Sequence, residues 1–415
     1  MQLPTFPARW VHNRSASRDR PYGPAERRIL SHAAFLAAKA EIGSWPGYRP
    51  TPLVSLPGLA RRLSLGSVRY KDEGERFGLG SFKALGGAYA VLAVLRRHAQ
   101  ALGLGAVNAA DLIAGAHREA MGQVTVAAAT DGNHGRSVAW GARMFGASCV
   151  IYLHEHVSAA REREIARYGA TIVRVPGHYD DSVRRCAADA GTNGWVLVAD
   201  TSDEVSAEIP AQVMQGYTLL AEEILDVLTP VSYPTHVFVQ AGVGGLAAAI
   251  AAHYWESLGP ARPRIVVVEP TRADCIFRTV AALRPVPVEG STDTFMACLA
   301  AGEVSAPAWA ILEHTVDDVI ALEDEAALET MRLLAAGLEG NPPLVAGESG
   351  CPTAAGLIAA AQDRSVRDAL ELREGSRAVV IGSEGATDAE SYERVVGRSA
   401  AEVLGGLPVR AVRRG

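Results

Sequence analysis

The chain has 415 residues, 48% hydrophobic and 21% charged, which excludes a disordered or low-complexity class and suggests two or three structural units. Its formal net charge of −6 argues against a general nucleic-acid binder. Five scattered cysteines, Cys149, Cys186, Cys275, Cys298 and Cys351, form no Cys-x-x-Cys pair, and so read as a reduced, cytoplasmic protein without a zinc or other metal site.

Taken in chain order, the N-terminus lacks an apolar core of signal-peptide length. Residues 43–57 are dense in proline and glycine and read as loop. Residues 71–87, KDEGERFGLGSFKALGG, set glycines around Ser81-Phe82-Lys83 and place Lys83 at a helix start. Backbone freed by glycine can approach a ligand closely. An ordinary surface lysine on an amphipathic helix is the alternative. Short apolar runs at 124–128, 149–153, 171–175, 196–199, 236–239, 265–268 and 378–381 read as strands. Runs with helical spacing at 136–145, 159–168 and 181–190 lie between some of them. This alternation predicts an α/β protein with mostly parallel sheets covered on both faces. Residues 237–255 are nearly long and apolar enough for a membrane span. Gln240, the glycines at 242, 244 and 245, and a final His-Tyr-Trp make a strand, a Gly loop and a buried helix the better reading. No repeat is visible, and the Arg-rich stretch 409–415 reads as a fraying tail.

Three further segments follow predicted strands. Residues 129–135, ATDGNHG, would turn backbone N–H groups toward an anionic or aromatic ligand. A plain loop, with Asp or Asn capping the next helix, is the alternative. Residues 240–245, QAGVGG, can wrap a phosphate at a helix N-terminus. They lack the Lys-Ser/Thr of a P-loop and the full dinucleotide fingerprint, which favours a single phosphate. Residues 381–388, IGSEGATD, put a hydroxyl at a strand end, where it can bond a ring nitrogen or merely cap a helix. A lysine for a Schiff base, an Asx loop for a ring, a Gly loop for a phosphate and a late serine, in this order, are what pyridoxal phosphate needs.

At these residues the sequence resembles the fold type II, tryptophan synthase β-subunit-like, pyridoxal-phosphate enzymes. Within them it is most similar to the diaminopropionate ammonia-lyases. The resemblance runs over roughly residues 47–396, through GYRPTPL (47–53), residues 71–87, TDGNHGRSVAW (130–140), MQGY (214–217), residues 240–244, VEPTRADC (268–275), GESG (347–350) and SEGATD (383–388). It implies two open, mostly parallel sheets flanked by helices, with the cofactor between domains. Residues 1–90 and 190–415 would form the large cofactor-binding domain, and 91–189 a smaller, mobile substrate-side domain. It implies that Lys83 forms the Schiff base, with Phe82 beside the cofactor. Asn133 would bond the ring hydroxyl oxygen. Gly242, Val243, Gly244 and Gly245 would donate to the phosphate, and Ser383 would contact the pyridine nitrogen. Asp131 and Asp200 match the family's two acid–base aspartates.

The implied protein is a homodimeric lyase of amino-acid metabolism. It would convert 2,3-diaminopropionate, or a close β-substituted alanine, to pyruvate and ammonia, with no nucleic-acid or membrane partner. Burial and the cationic ring are expected to depress the Lys83 pKa. A serine/threonine dehydratase or a β-replacement synthase of the same fold is the nearer alternative. A non-catalytic cofactor-binding protein is the further one. The chain departs from the family after Asp200, where TSDEVSAEIP (201–210) replaces an aromatic-acidic-Gly-aromatic run, and at Ala386, where an acid is usual.

Overall fold

The computed structural model describes residues 3–405, so the predicted tail at 409–415 lies outside the described residues. The strands are β1 (Ala8–His12), β2 (Leu53–Ser55), β3 (Ser67–Asp72), β4 (Thr125–Ala129), β5 (Ser148–His154), β6 (Thr171–Val175), β7 (Val196–Leu197), β8 (His236–Gln240), β9 (Arg264–Pro270), β10 (Val316–Leu322) and β11 (Arg377–Gly382). They form a seven-stranded sheet, ordered β1-β10-β9-β8-β11-β3-β2, and a four-stranded sheet, ordered β6-β5-β4-β7. Pairing is parallel except at the edges, where β1 meets β10 and β2 meets β3 antiparallel. The expected two-sheet α/β architecture is therefore present. The predicted strand at 196–199 narrows to β7, which pairs with β4 beyond the boundary drawn at residue 189. Residues 237–255 divide as read, into β8, a turn and a helix.

Four strands escape a search for apolar runs. In β10, VDDVIAL, all seven residues are buried. Its two carboxylates are tolerated there because each has a partner. Asp317 accepts Arg262 Nη1 and the Ile265 N–H, both at 2.8 Å, and Asp318 accepts Arg264 Nε at 2.6 Å. Of the three charged residues in β3, Arg69, Lys71 and Asp72, only Lys71 is fully buried. The edge strands β1 and β2 are largely exposed or half-buried and carry no long apolar signal.

The helices that matter for the site are α1 (Lys83–Ala101), α2 (Asn133–Phe145), α3 (Ala159–Ala166), α4 (Tyr179–Asn193), α5 (Glu208–Asp226) and α6 (Gly245–Leu258). Helix α1 crosses α5 at unusually short range. A Cβ on Gly216 would lie 2.2 Å from the Leu85 carbonyl oxygen, and one on Gly86 would lie 2.4 Å from the Tyr217 ring. Only glycine permits that approach, so the LGG and MQGY strings are the two halves of one helix contact.

A buried ionic network holds the chain that leads into α1. Glu223 of α5 accepts Lys71 Nζ at 2.5 Å and both terminal nitrogens of Arg76 at 2.7 Å. Glu73 accepts Arg76 Nε and Nη2 at 2.8 Å, and the Thr51 hydroxyl also donates to Glu73. Two cations meet two anions, all essentially out of solvent. Burial works against the charge on Glu223, but Arg76 and Lys71 outweigh it and hold the carboxyl well below its ordinary range. The network therefore stabilises the fold above the normal glutamate pKa, and that contribution is lost as pH falls through the depressed value.

Glu223→Gln leaves two buried cations short of an anion. We expect it to cost about 3–5 kcal/mol in denaturant unfolding at neutral pH, with the deficit shrinking in acid. A loss below about 1 kcal/mol would show that the network does not anchor this segment.

Candidate active site

The expected site residues lie at the carboxyl ends of parallel strands, where open α/β sheets gather ligands. Lys83 is the first residue of α1. Its Nζ pairs with Asp200 Oδ2, from the loop after β7, and both side chains are about five-sixths buried. Burial would lower the lysine pKa, as expected from sequence. Asp200 and then Tyr217 outweigh it, so the net shift is upward. The expected lowering by burial is thus outweighed by Asp200 and Tyr217. Burial opposes charge on Asp200 as well, yet Lys83 and His134 hold it well below the usual range. His134 stands behind the pair, with Nδ1 at 3.8 Å from Asp200 Oδ2 and Nε2 at 2.7 Å from the Val198 carbonyl.

The loop before Lys83 is laced to the turn after β11. Phe82 donates its N–H to the Ser383 carbonyl at 3.0 Å, and Gly385 donates to the Gly80 carbonyl at 2.9 Å. The Phe82 ring meets Tyr217 at 4.7 Å, steeply tilted. Ser383 is buried and its hydroxyl donates to the Ser349 carbonyl at 2.9 Å. Gln240 Nε2 donates to that same carbonyl at 2.8 Å. Three expected residues, Lys83, Phe82 and Ser383, therefore share one wall.

Helix α2 begins at Asn133, three residues earlier than its spacing suggested. The Thr130 hydroxyl serves its first turn, accepting the N–H groups of Gly132 at 3.0 Å and Gly135 at 3.1 Å. Asp131 is not the cap: its Oδ1 lies 2.8 Å from His154 Nε2. The Asn133 amide donates to Glu384, with Cys298 Sγ at 3.5 Å.

Helix α6 starts at Gly245 without any side-chain cap, and its N-cap Gly244 has φ 93°. Neighbours crowd Gly244, since a Cβ there would lie 3.1 Å from Leu312 and 3.3 Å from Ile276. The loop is tethered where Ser305 donates its N–H to the Val243 carbonyl at 2.9 Å. An uncapped helix start with glycine backbone leaves N–H groups for an anion. It lies beside Asp200, the partner of Lys83, because a Cβ on Gly245 would sit 4.0 Å from the Asp200 carbonyl oxygen. An amine paired with Asp200, and an uncapped helix start next to the same aspartate, are groups that suit a phosphorylated aldehyde.

Several site residues were not singled out from sequence. Glu384, 2% exposed, also accepts the Ser349 N–H at 2.9 Å and the Thr387 hydroxyl at 3.1 Å. Arg161 of α3 is buried, bonds Glu348 at 2.7 Å and reaches the Asp131 carbonyl at 3.4 Å. Both acids, Glu384 and Glu348, lie inside the SEGATD and GESG strings. Arg161, Cys298 and His154 carry no motif. A plainer signal for Lys83 was also present, because the chain contains just three lysines. Lys71 is locked in the buried network, and Lys39 pairs with Glu222 and Asp226 on the surface.

A family profile described as "Pyridoxal-phosphate dependent enzyme" matches residues 44–384. The diaminopropionate ammonia-lyase of Escherichia coli K12 is 37% identical over 356 residues, which cover 84% of this chain and 88% of that protein. The Salmonella typhimurium LT2 diaminopropionate ammonia-lyase is 36% identical over 370 residues, covering 86% and 90%. The crystal structure of the holo E. coli protein superposes with a TM-score of 0.85 at 32% identity, covering 95% of this chain and 98% of that one.

The Gly loop can be tested without breaking the fold. Gly244 is a poor probe, because its positive φ and tight surroundings would strain any side chain. Gly245 has only the flexible Met214 side chain within 3.5 Å of an added Cβ. A carboxylate there suits a helix N-terminus but repels a phosphate. Gly245→Asp should keep the melting temperature of the cofactor-free protein while weakening cofactor binding by ~10-fold or more. Equal affinity in a cofactor titration would remove this loop from the site.

Proposed function

Because the chain belongs to the pyridoxal-phosphate-dependent enzymes, we propose that it is an ammonia-lyase acting on 2,3-diaminopropionate or a close β-substituted alanine. Water is consumed, and pyruvate and two molecules of ammonia are formed. The observation that carries this reading is the buried pair of Lys83 and Asp200 beside an uncapped helix start. Kinship to the diaminopropionate ammonia-lyases supplies the substrate class.

The cofactor, when bound, supplies an aldehyde for an amine to join and a conjugated ring that draws electrons from the substrate α-carbon. In our reading Lys83 is the amine that holds it. Lys83 must first surrender a proton, and Asp200 Oδ2 is the acceptor in contact with Nζ. Phe82 flanks the ring. The second proton on Asn133 Nδ2, now turned to Cys298 Sγ at 3.5 Å, can pass to the ring oxygen while the first serves Glu384. The N–H groups of Gly242, Val243, Gly244 and Gly245 hold the phosphate. The Ser383 hydroxyl can turn to the ring nitrogen, because Gln240 already serves the Ser349 carbonyl. Lys83 or Asp131 takes the α-proton, according to which face of the substrate carries it, and an acid then protonates the departing β-amine.

We propose that the unit built on the four-stranded sheet is the mobile, substrate-side domain, extended past residue 189 to include β7. The remainder is the large, cofactor-binding domain. A cytoplasmic homodimer completes the proposal. Residues 203–206 are exposed after Asp200, and no aromatic residue occurs in 201–210. A serine/threonine dehydratase of the same fold is the second reading.

Incubation with each diaminopropionate enantiomer and with serine separates the two. We expect pyruvate from diaminopropionate, with two ammonia molecules for each pyruvate. Asp131→Asn should lower turnover by roughly 10²–10⁴-fold on at least one enantiomer, and Asp200→Asn should impair both. Turnover of serine alone would establish the dehydratase. Near wild-type rates in both variants would make the carboxylates structural.

A further inference from the structure

Asp131 has a partner that no motif indicated. His154 is the last residue of β5, and its Nε2 lies 2.8 Å from Asp131 Oδ1. On the other side of the ring, Nδ1 receives the His156 backbone N–H at 3.3 Å. A ring nitrogen that accepts an N–H carries no proton itself. The neutral imidazole therefore bears its proton on Nε2 and donates it to Asp131. Backbone geometry thus selects the tautomer, and the tautomer selects the carboxylate orientation.

Three observations separate this contact from ordinary packing. Thr130 already satisfies the start of α2, so the Asp131 carboxylate is not needed as a cap. His154 and Asp131 are largely buried, with side-chain exposures of 15% and 25%. Both aspartates also act on one group, since the Tyr179 phenol at the start of α4 is raised by burial first and then by Asp200 and Asp131. The other charged or titratable groups around it are accounted for. Arg161 of α3 bonds the Asp131 carbonyl and Glu348. Arg174 of β6 bonds the His154 carbonyl at 3.2 Å and pairs with Glu162. The rings of His156 and His178 continue outward from His154.

We infer that His154 is a positioning residue for the proposed elimination. Its Nε2–H occupies Asp131 Oδ1 and leaves Oδ2 to face the substrate. The α-proton passes to Oδ2, and His154 keeps its own proton throughout. This arrangement inverts the common order in which a carboxylate orients a working imidazole. The inference rests on the proposed role of Asp131.

The test is steady-state kinetics of the holoenzyme on both diaminopropionate enantiomers, with His154→Leu, His154→Gln, Asp131→Asn and the double variant His154→Leu/Asp131→Asn. Melting temperature and cofactor spectrum monitor folding. His154→Leu should lower kcat by roughly 10–100-fold, the scale of a misplaced catalytic group, on the enantiomer that Asp131 serves. KM should change little. His154→Gln retains an N–H donor and should recover a substantial part of kcat. With Asp131→Asn already present, His154→Leu should add about twofold at most, because the two act as one unit. The inference fails if Asp131→Asn is impaired while His154→Leu turns over normally. It also fails if the two losses multiply, or if His154→Gln is no better than His154→Leu. Full activity of Asp131→Asn alone would instead overturn the role of Asp131, and the inference with it.

Discussion

The ion pair between Lys83 and Asp200 joins the two sheets at their carboxyl ends. Lys83 starts the helix that follows the large sheet's β3 and its loop, and Asp200 ends the strand region of the small sheet. Neither side chain would be stable alone in that position, because burial penalises each charge. Together they form a neutral unit that can exchange a proton internally. Much of the surrounding architecture restrains the two backbones that carry them. The Lys71–Glu73–Arg76–Glu223 network pins the segment entering α1. The Gly86–Gly216 approach fixes α1 against α5, and the Ser137 hydroxyl bonds the Lys83 carbonyl at 2.7 Å. On the other side, Val198 donates to the Ala127 carbonyl at 2.8 Å, and Ser202 is tied to Ser305.

This arrangement changes what burial does to the lysine. Desolvation alone would make Lys83 a ready nucleophile near neutral pH. With Asp200 in contact, the free amine of Lys83 holds its proton more firmly, and that proton must move before the nitrogen can bond to carbon. In the proposed mechanism the same carboxylate that takes the proton is then available as an acid. His134 behind Asp200, and His154 behind Asp131, place an imidazole next to each of the two aspartates.

How much of this was legible depended on whether a signal was local. The central strands β4, β5, β8, β9 and β11 show in the sequence because both faces are apolar, and the edge strand β6 shows by its β-branched residues although it is at most half-buried. Strands β3 and β10 do not, because Lys71, Asp317 and Asp318 interrupt the pattern, and only their distant partners make those charges tolerable. The site divides in the same way. Lys83, Asn133, the Gly loop and Ser383 sit in short strings with glycine or Asx chemistry, so each can be found alone. Glu384 reaches Asn133 across 251 positions, and Arg161 reaches Glu348 across 187. Such pairs belong to the folded topology, not to any window of sequence. The sign of the Lys83 shift was missed for the same reason, since Asp200 is 117 positions away.

Lysine scarcity makes the central claim unusually easy to test, because Lys39, Lys71 and Lys83 are all the chain has. The purified holoenzyme can be reduced with borohydride, digested and mapped by mass spectrometry for the lysine that carries the cofactor. The label is expected on the peptide containing Lys83 and should be lost in Lys83→Ala. Label on Lys39 or Lys71, or undiminished label in Lys83→Ala, would contradict the claim.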